Sequence, residues 1–301
     1  MSTPVEGLRP NQVLGQLGRL GREQGRPTAE VYTLYALERV LDRLRRTGYR
    51  DDFVLKGGIL LAAYRLRRPT GDIDMQALDF TLDVEHMRTV MAAIAAVPAD
   101  DGLDLDLQSL TVTPIRDDDE YTGLRVIVKN VTLHGRGVPA GVKLDISTGD
   151  PIWPAPQTVE LPGLLGGSVT IAGHPLPTVI AEKTVTMLQR GTQSTRWRDL
   201  VDVRSLARRY EFFAADLWAA GQAVAAHRGV ELGSVEQVTA GYGDVGQDKW
   251  TAWVKKFGLA GVTQARLDDQ VADVSRFIDP VYTGADATPW RWDPIAFTWV
   301  P

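Results

Sequence analysis

The chain contains no cysteine and only four histidines among its 301 residues. Disulfides and thiolate metal sites are therefore excluded, and histidines this scattered do not suggest a zinc site. A metal would have to be held by oxygen. Long apolar runs are also missing, since no stretch approaches the ~18 residues of a membrane span. The segment Met1-Ser2-Thr3-Pro4-Val5-Glu6-Gly7 lacks the basic-then-apolar pattern of a secretion signal. A cytoplasmic protein without a membrane partner is the expectation. Positive charge is not in excess either, the formal net charge being −5. That argues against a generally basic surface but leaves room for a local patch, on which nucleic-acid binding depends.

With 44% apolar residues the chain can bury a substantial core. One stretch organises the rest. Phe53-Val54-Leu55-Lys56 reads as a strand, Gly57-Gly58 as a turn, and Ile59 to Leu66 as a helical segment. Arg68-Pro69-Thr70-Gly71-Asp72-Ile73-Asp74 then opens a second strand. Alternate strand residues share a side, so Asp72 and Asp74 can aim both carboxylates at one point while Ile73 and Met75 enter a core. Hard anionic oxygens suit Mg²⁺, which takes one or two protein carboxylates, keeps waters and binds substrate phosphates. Glycines before a helix let backbone amides approach a phosphate. Taken singly, the glycines are an ordinary turn and the acids an ordinary strand end. Their order and close spacing carry the information.

Elsewhere the periodicity predicts helices over 10–20 and from Thr28, with Val31, Leu34, Leu37, Val40, Leu41 and Leu44 on one stripe. Arg39, Arg43, Arg45, Arg46, Arg50, Arg65, Arg67 and Arg68 form either a basic patch or a solvated helix face. Asp83 can cap a further helix, on which His86 reads as a partly exposed residue. From residue 103 the period shifts towards two, predicting strands, with an exposed acidic loop at Asp117-Asp118-Asp119-Glu120. Asp104 and Asp106 repeat the acid spacing but lack a preceding glycine turn, so they read as an outer strand's solvent face. In Val142-Lys143-Leu144-Asp145-Ile146-Ser147, Lys143, Asp145 and Ser147 share a side, and Asp145 is a candidate third carboxylate. An ordinary strand aspartate near Lys143 is the plainer alternative. Prolines at 151, 154 and 156 place a domain boundary after residue 157. Short strand-like pieces at 158–161 and 169–172 follow, and then a helix capped by Thr178 that carries Lys183. A second helix holds Trp197-Arg198-Asp199-Leu200-Val201-Asp202. Further helices are expected at 214–227, 248–257 and 264–277. Trp250, Trp253, Lys255 and Lys256 read as core packing or as an RNA-binding surface.

The glycine pair, the Arg-Pro-Thr and the Asp-x-Asp resemble the first motif of the polymerase-β-type nucleotidyltransferases, and specifically the AbiEii/AbiGii toxin family that includes the MenT toxins. Gly58 stands where many members of that superfamily have serine. The missing hydroxyl shifts the expected phosphate cradle onto backbone amides and Thr70. The resemblance implies an α/β (α+β) fold, with a mixed sheet flanked by helices in residues 1–157 and a mostly helical carboxy-terminal domain in residues 158–301. It implies catalytic roles for Asp72, Asp74, Asp145, Lys183 and Asp202, with Asp199 as a structural partner. Asp72, Asp74 and Asp145 are the implied ligands of Mg²⁺, or Mn²⁺ in its place. Lys56, Gly57, Gly58, Arg68, Thr70 and Lys183 are the implied nucleotide contacts. The implied activity is transfer of a nucleoside monophosphate from an NTP to the 3′ acceptor end of tRNA, in a toxin opposed by a cognate antitoxin. A protein or small-molecule acceptor, or a nucleotide-binding regulator without turnover, are the alternatives.

Overall fold

The computed structural model describes residues 10–68, 70–78, 82–116, 122–284 and 289–301. The amino-terminal segment read above and the acidic loop expected at 117–120 lie outside these residues. The chain divides into two compact units, residues 1–149 with 156–174, and residues 150–155 with 175–301. The strand-like pieces at 158–161 and 169–172 belong to the sheet of the first unit, which therefore extends past 157 to His174.

In the first unit, helix α1 (Pro10–Glu23) packs against α2 (Thr28–Leu44). Thr28 does not cap α2; Pro27 holds that position, without a side-chain cap bond. Strand β1 (Phe53–Lys56) runs into a single helical turn, α3 (Gly57–Leu60). The longer helix expected through Leu66 is absent, because the chain turns repeatedly after Leu60 and Arg65 adopts a positive φ of 54°. After β2 (Ile73–Ala77), the expected cap of α4 (Val84–Ala96) is present, with Asp83 accepting from the His86 N–H at 2.7 Å.

Strands β3 (Leu103–Leu105), β4 (Leu110–Arg116), β5 (Thr122–Val128), β6 (Val131–Leu133), β7 (Arg136–Gly137), β8 (Val142–Thr148), β9 (Gln157–Pro162) and β10 (Ser168–Gly173) complete this unit. Seven strands form one mixed sheet in the order β4-β5-β8-β2-β1-β10-β9, while β3, β6 and β7 make a small separate sheet. β2 pairs antiparallel with β1 and parallel with β8. Ile73, Met75, Leu144 and Ile146 are buried, as the alternation requires.

The second unit comprises α5 (Leu176–Arg190), α6 (Trp197–Ala207), α7 (Ala214–His227), α8 (Val235–Val238), α9 (Tyr242–Phe257) and α10 (Leu267–Thr283). Thr178 lies inside α5, whose N-cap is Pro175; its hydroxyl instead bonds the backbone of Trp153 and ties down residues 150–155. A small antiparallel sheet, β11 (Phe212–Phe213), β12 (Arg291–Asp293) and β13 (Thr298–Val300), was not foreseen from the sequence. Its strands are too short to show a period, and Trp292 at its centre is fully buried against Phe277 of α10.

Candidate active site

Strand register brings the predicted acids of the first unit together. Asp74 on β2 is paired with Lys56 on β1 and with Asp145 on β8, and Asp145 is in turn paired with Arg125 on β5. Paired residues of neighbouring strands share a face, so a basic, an acidic, an acidic and a basic residue cross the sheet in one row. Asp72, two residues before Asp74, joins the same side. One carboxylate oxygen from each of Asp72, Asp74 and Asp145 lies within 4.8 Å of the others, and all three residues are half-buried. This donor set consists of hard, anionic oxygens without nitrogen or sulfur, which fits Mg²⁺ or Mn²⁺ and not a soft-ligand metal.

Three clustered carboxylates repel one another, and two cations offset this. Arg125 donates to both oxygens of Asp145 at 2.9 Å each. Lys143 reaches Asp72 at 3.1 Å and Asp145 at 2.9 Å. Burial opposes ionisation of Asp145, but its hydrogen bonds to Arg125 and Lys143 outweigh that and hold its carboxyl below the usual carboxylate range. Burial likewise disfavours the charged form of Lys143, yet the bonds to Asp145 and Asp72 raise its ammonium above the usual lysine value. Thr70 donates to the remaining Asp72 oxygen at 3.0 Å, which orients that carboxylate.

The glycine pair is required sterically. Gly57 has φ +67°, and a Cβ there would sit 1.9 Å from Asp74 Oδ2. Only glycine lets the backbone pass this close to the carboxylate. A Cβ on Gly58 would lie 2.9 Å from the Thr70 hydroxyl and 3.1 Å from an Arg68 guanidinium nitrogen. Thr70 thus fills the space that a serine side chain at position 58 would enter. The one-turn α3 is too short to act as the anion-binding helix start expected from the sequence.

In the second unit, Lys183 on α5 meets the two acids of α6, Asp199 at 2.5 Å and Asp202 at 3.0 Å. Asp199 also accepts from Arg196 at 2.7 Å. The two acids are three residues apart on the helix and so project towards the same neighbour. Burial opposes the charge on Asp199, but Lys183 and Arg196 outweigh it and hold the carboxyl below its ordinary value.

The sequence model of the nucleotidyl transferase AbiEii toxin of type IV toxin–antitoxin systems matches residues 39–293. The chain belongs to the AbiEii nucleotidyltransferase toxin family. Its fold is similar to that of MenT4, a nucleotidyltransferase toxin from Mycobacterium tuberculosis H37Rv, with a TM-score of 0.52, 18% identity and 90% of each chain covered. No curated protein matches the sequence. Among the described residues, no helix is long and apolar enough to cross a membrane.

Within this AbiEii family member, the candidate residues Asp72, Asp74, Asp145, Gly57, Gly58, Thr70, Arg68 and Lys56 all fall around the central strands of one sheet. Lys183, Asp199 and Asp202 form their own cluster. Arg125 was missed by sequence reading because nothing local links it to Asp145, 20 residues away; only strand register does. Lys143 was legible as a same-side neighbour of Asp145, but its bridge to Asp72 was not. The arginine cluster divides: Arg46, Arg50 and Arg65 are exposed, while others are buried or half-buried against acids. Arg43 is buried against Asp101, Arg45 and Arg46 pair with Asp42, Arg50 with Asp51, Arg67 with Glu38, and Arg39 stacks over Tyr35. Asp104 is exposed on β3, and Asp106 caps the following turn, so neither joins the acidic site. Trp250 is fully buried, with Trp197 edge-on and Trp253 stacked against it, as core packing requires.

Proposed function

We propose that this AbiEii toxin is a divalent-metal-dependent nucleotidyltransferase that moves a nucleoside monophosphate from an NTP to the 3′ acceptor end of tRNA. Blocked aminoacylation and growth arrest follow, relieved by a cognate antitoxin. The observation that carries the reading is the meeting of Asp72, just before β2, with Asp74 on β2 and Asp145 on β8 within 4.8 Å. The tRNA acceptor rests on the family resemblance.

The three carboxylates would hold Mg²⁺ or Mn²⁺, which would supply positive charge to offset that of the phosphates and of the attacking and leaving oxygens. Gly57 lets the backbone pass close beside Asp74, and Gly58 leaves its space to Thr70, which orients Asp72. The acceptor's 3′ oxygen bonds the α-phosphorus, the bond to the bridging α–β oxygen breaks, and pyrophosphate departs with those electrons. The hydroxyl proton is lost to solvent. Asp145, kept ionised by Arg125 and Lys143, would serve as a metal ligand, and the positive charge it helps to hold would favour that loss. On the family resemblance, Lys183 supplies a triphosphate contact, its ammonium positioned by Asp199 and Asp202.

The test is incubation of the purified protein with each of four α-³²P-labelled NTPs and either total RNA or total protein. Label in the tRNA fraction is the expected result. Label in protein alone, or none in either, overturns the proposed acceptor.

A further inference from the structure

The bridge made by Lys143 bears on how the acidic site of the proposed nucleotidyltransferase accepts its metal. The Lys143 ammonium lies 3.1 Å from Asp72 and 2.9 Å from Asp145, and these are two of the three carboxylates whose oxygens gather within 4.8 Å. An ammonium and a divalent cation would draw on the same oxygens. Asp145 shows the conflict most clearly, since its Oδ2 accepts from both Lys143 and Arg125. Arg125 grips both oxygens of Asp145 with a planar, two-pronged contact. Lys143 instead offers a compact charge on a flexible four-carbon stem, held by one contact to each carboxylate; the distinction lies in those single contacts and not in exposure, its side chain being 26% exposed against 41% for Arg125. Of the two cations, Lys143 is therefore the one able to leave.

We infer that Lys143 is an exchangeable counter-ion: it holds Asp72 and Asp145 together before a divalent cation enters, yields those oxygens to it, and then pairs with the nucleotide's phosphates. This inference rests on the nucleotidyltransferase reading of the same site. It gives Lys143 two separable effects, competition with metal when nucleotide is absent and attraction of triphosphate once metal is bound. A lysine fixed on the two carboxylates would oppose the metal but would make no phosphate contact, so the nucleotide readout separates the two cases.

The experiment uses the full-length protein and its Lys143→Met, Lys143→Gln and Lys143→Arg variants, each checked for folding by circular dichroism. Mn²⁺ is titrated without nucleotide, its binding followed by electron paramagnetic resonance. An α,β-methylene NTP, which cannot release pyrophosphate, is then titrated in saturating Mg²⁺. Loss of a unit charge about 3 Å from the carboxylates predicts Mn²⁺ binding at least about tenfold tighter in the Met and Gln variants. The same variants bind the nucleotide analogue at least about tenfold more weakly, because a charge-assisted phosphate contact is lost. Lys143→Arg, which keeps the charge, stays close to the parent in Mn²⁺ affinity. Unchanged or weaker Mn²⁺ binding by both neutral variants, or unchanged affinity for the analogue, overturns the inference. Neither titration needs an acceptor, so failure to label tRNA counts against the proposed function and leaves Lys143 to be judged on these two readouts.

Discussion

Gly57 and Asp74 constrain each other. The positive φ of Gly57 and the 1.9 Å approach of its missing Cβ to Asp74 Oδ2 mean that alanine both strains the backbone and displaces the carboxylate. Gly57→Ala is expected to lower nucleotide transfer by about two orders of magnitude, the usual consequence of misplacing a reacting group by an ångström. Its thermal midpoint should fall by only a few degrees. Full activity in that variant would remove Asp74 from the site. Gly58→Ser probes the neighbouring position, where the new side chain would push against Thr70 and loosen its bond to Asp72. Nucleotide transfer should drop, and the double variant Gly58→Ser/Thr70→Ala should recover part of it by freeing the space. At this scale the sequence was legible for Asp72 and Asp74, because the two-residue spacing at the start of a strand aims them to one side even though β2 itself begins at Ile73. The reason for Gly58 was not legible, since it depends on Thr70 folding back across twelve residues.

Among the elements, α2 departs most from its sequence pattern. Its leucine stripe predicts one buried face, yet the helix is buried from Val31 through Leu44, charged residues included. Packing by α1, α4 and the sheet accounts for this, and none of those contacts is visible in a local window. Glu38, Asp42 and Arg43 survive burial by pairing, and Arg39 lies over the Tyr35 ring. Arg43 donates to both Asp101 oxygens and to the Leu103 carbonyl. Asp101→Ala leaves that guanidinium buried without its counter-ion and is expected to cost about 3–5 kcal/mol. Urea unfolding measures this; a loss within error of zero would mean that Arg43 escapes to solvent. The strands at 157–162 and 168–173 taught a related lesson. Prolines around them look like a domain linker, but β10 pairs in parallel with β1 and carries β9 as the edge strand of the first unit's sheet. Parallel pairing across so many residues leaves no trace in a short segment.

For the molecule as a whole, the sequence conveyed the fold class and the family but neither the small carboxy-terminal sheet nor the internal use of the arginines. Acid stability follows from paired carboxylates in both units. Asp145 and Asp199 have folded pKa values below their unfolded ones, so their contribution is present above the unfolded value of about 3.9 and is lost as pH falls through the lower folded values. Lys143 behaves oppositely. Its folded value is raised, so its contribution is complete below about 10.4 and disappears as pH rises further. Asp199→Asn should accordingly flatten the fall in unfolding midpoint below about pH 4 while leaving the slope near neutrality unchanged. An acid limb as steep as that of the parent would show that Lys183 and Arg196 do not stabilise the charged form of Asp199.

Asp72, Asp74 and Asp145 are proposed as a metal-dependent centre for nucleoside monophosphate transfer. Parallel reactions with α-³²P- and γ-³²P-labelled NTP and tRNA test it most directly, run with and without EDTA and with Asp72→Ala and Asp74→Ala proteins that retain their circular dichroism. The expected result is α-label in tRNA, γ-label only in released pyrophosphate, and no transfer with chelator or with either variant. Undiminished α-label from Asp72→Ala, or γ-label appearing in the acceptor, would contradict it.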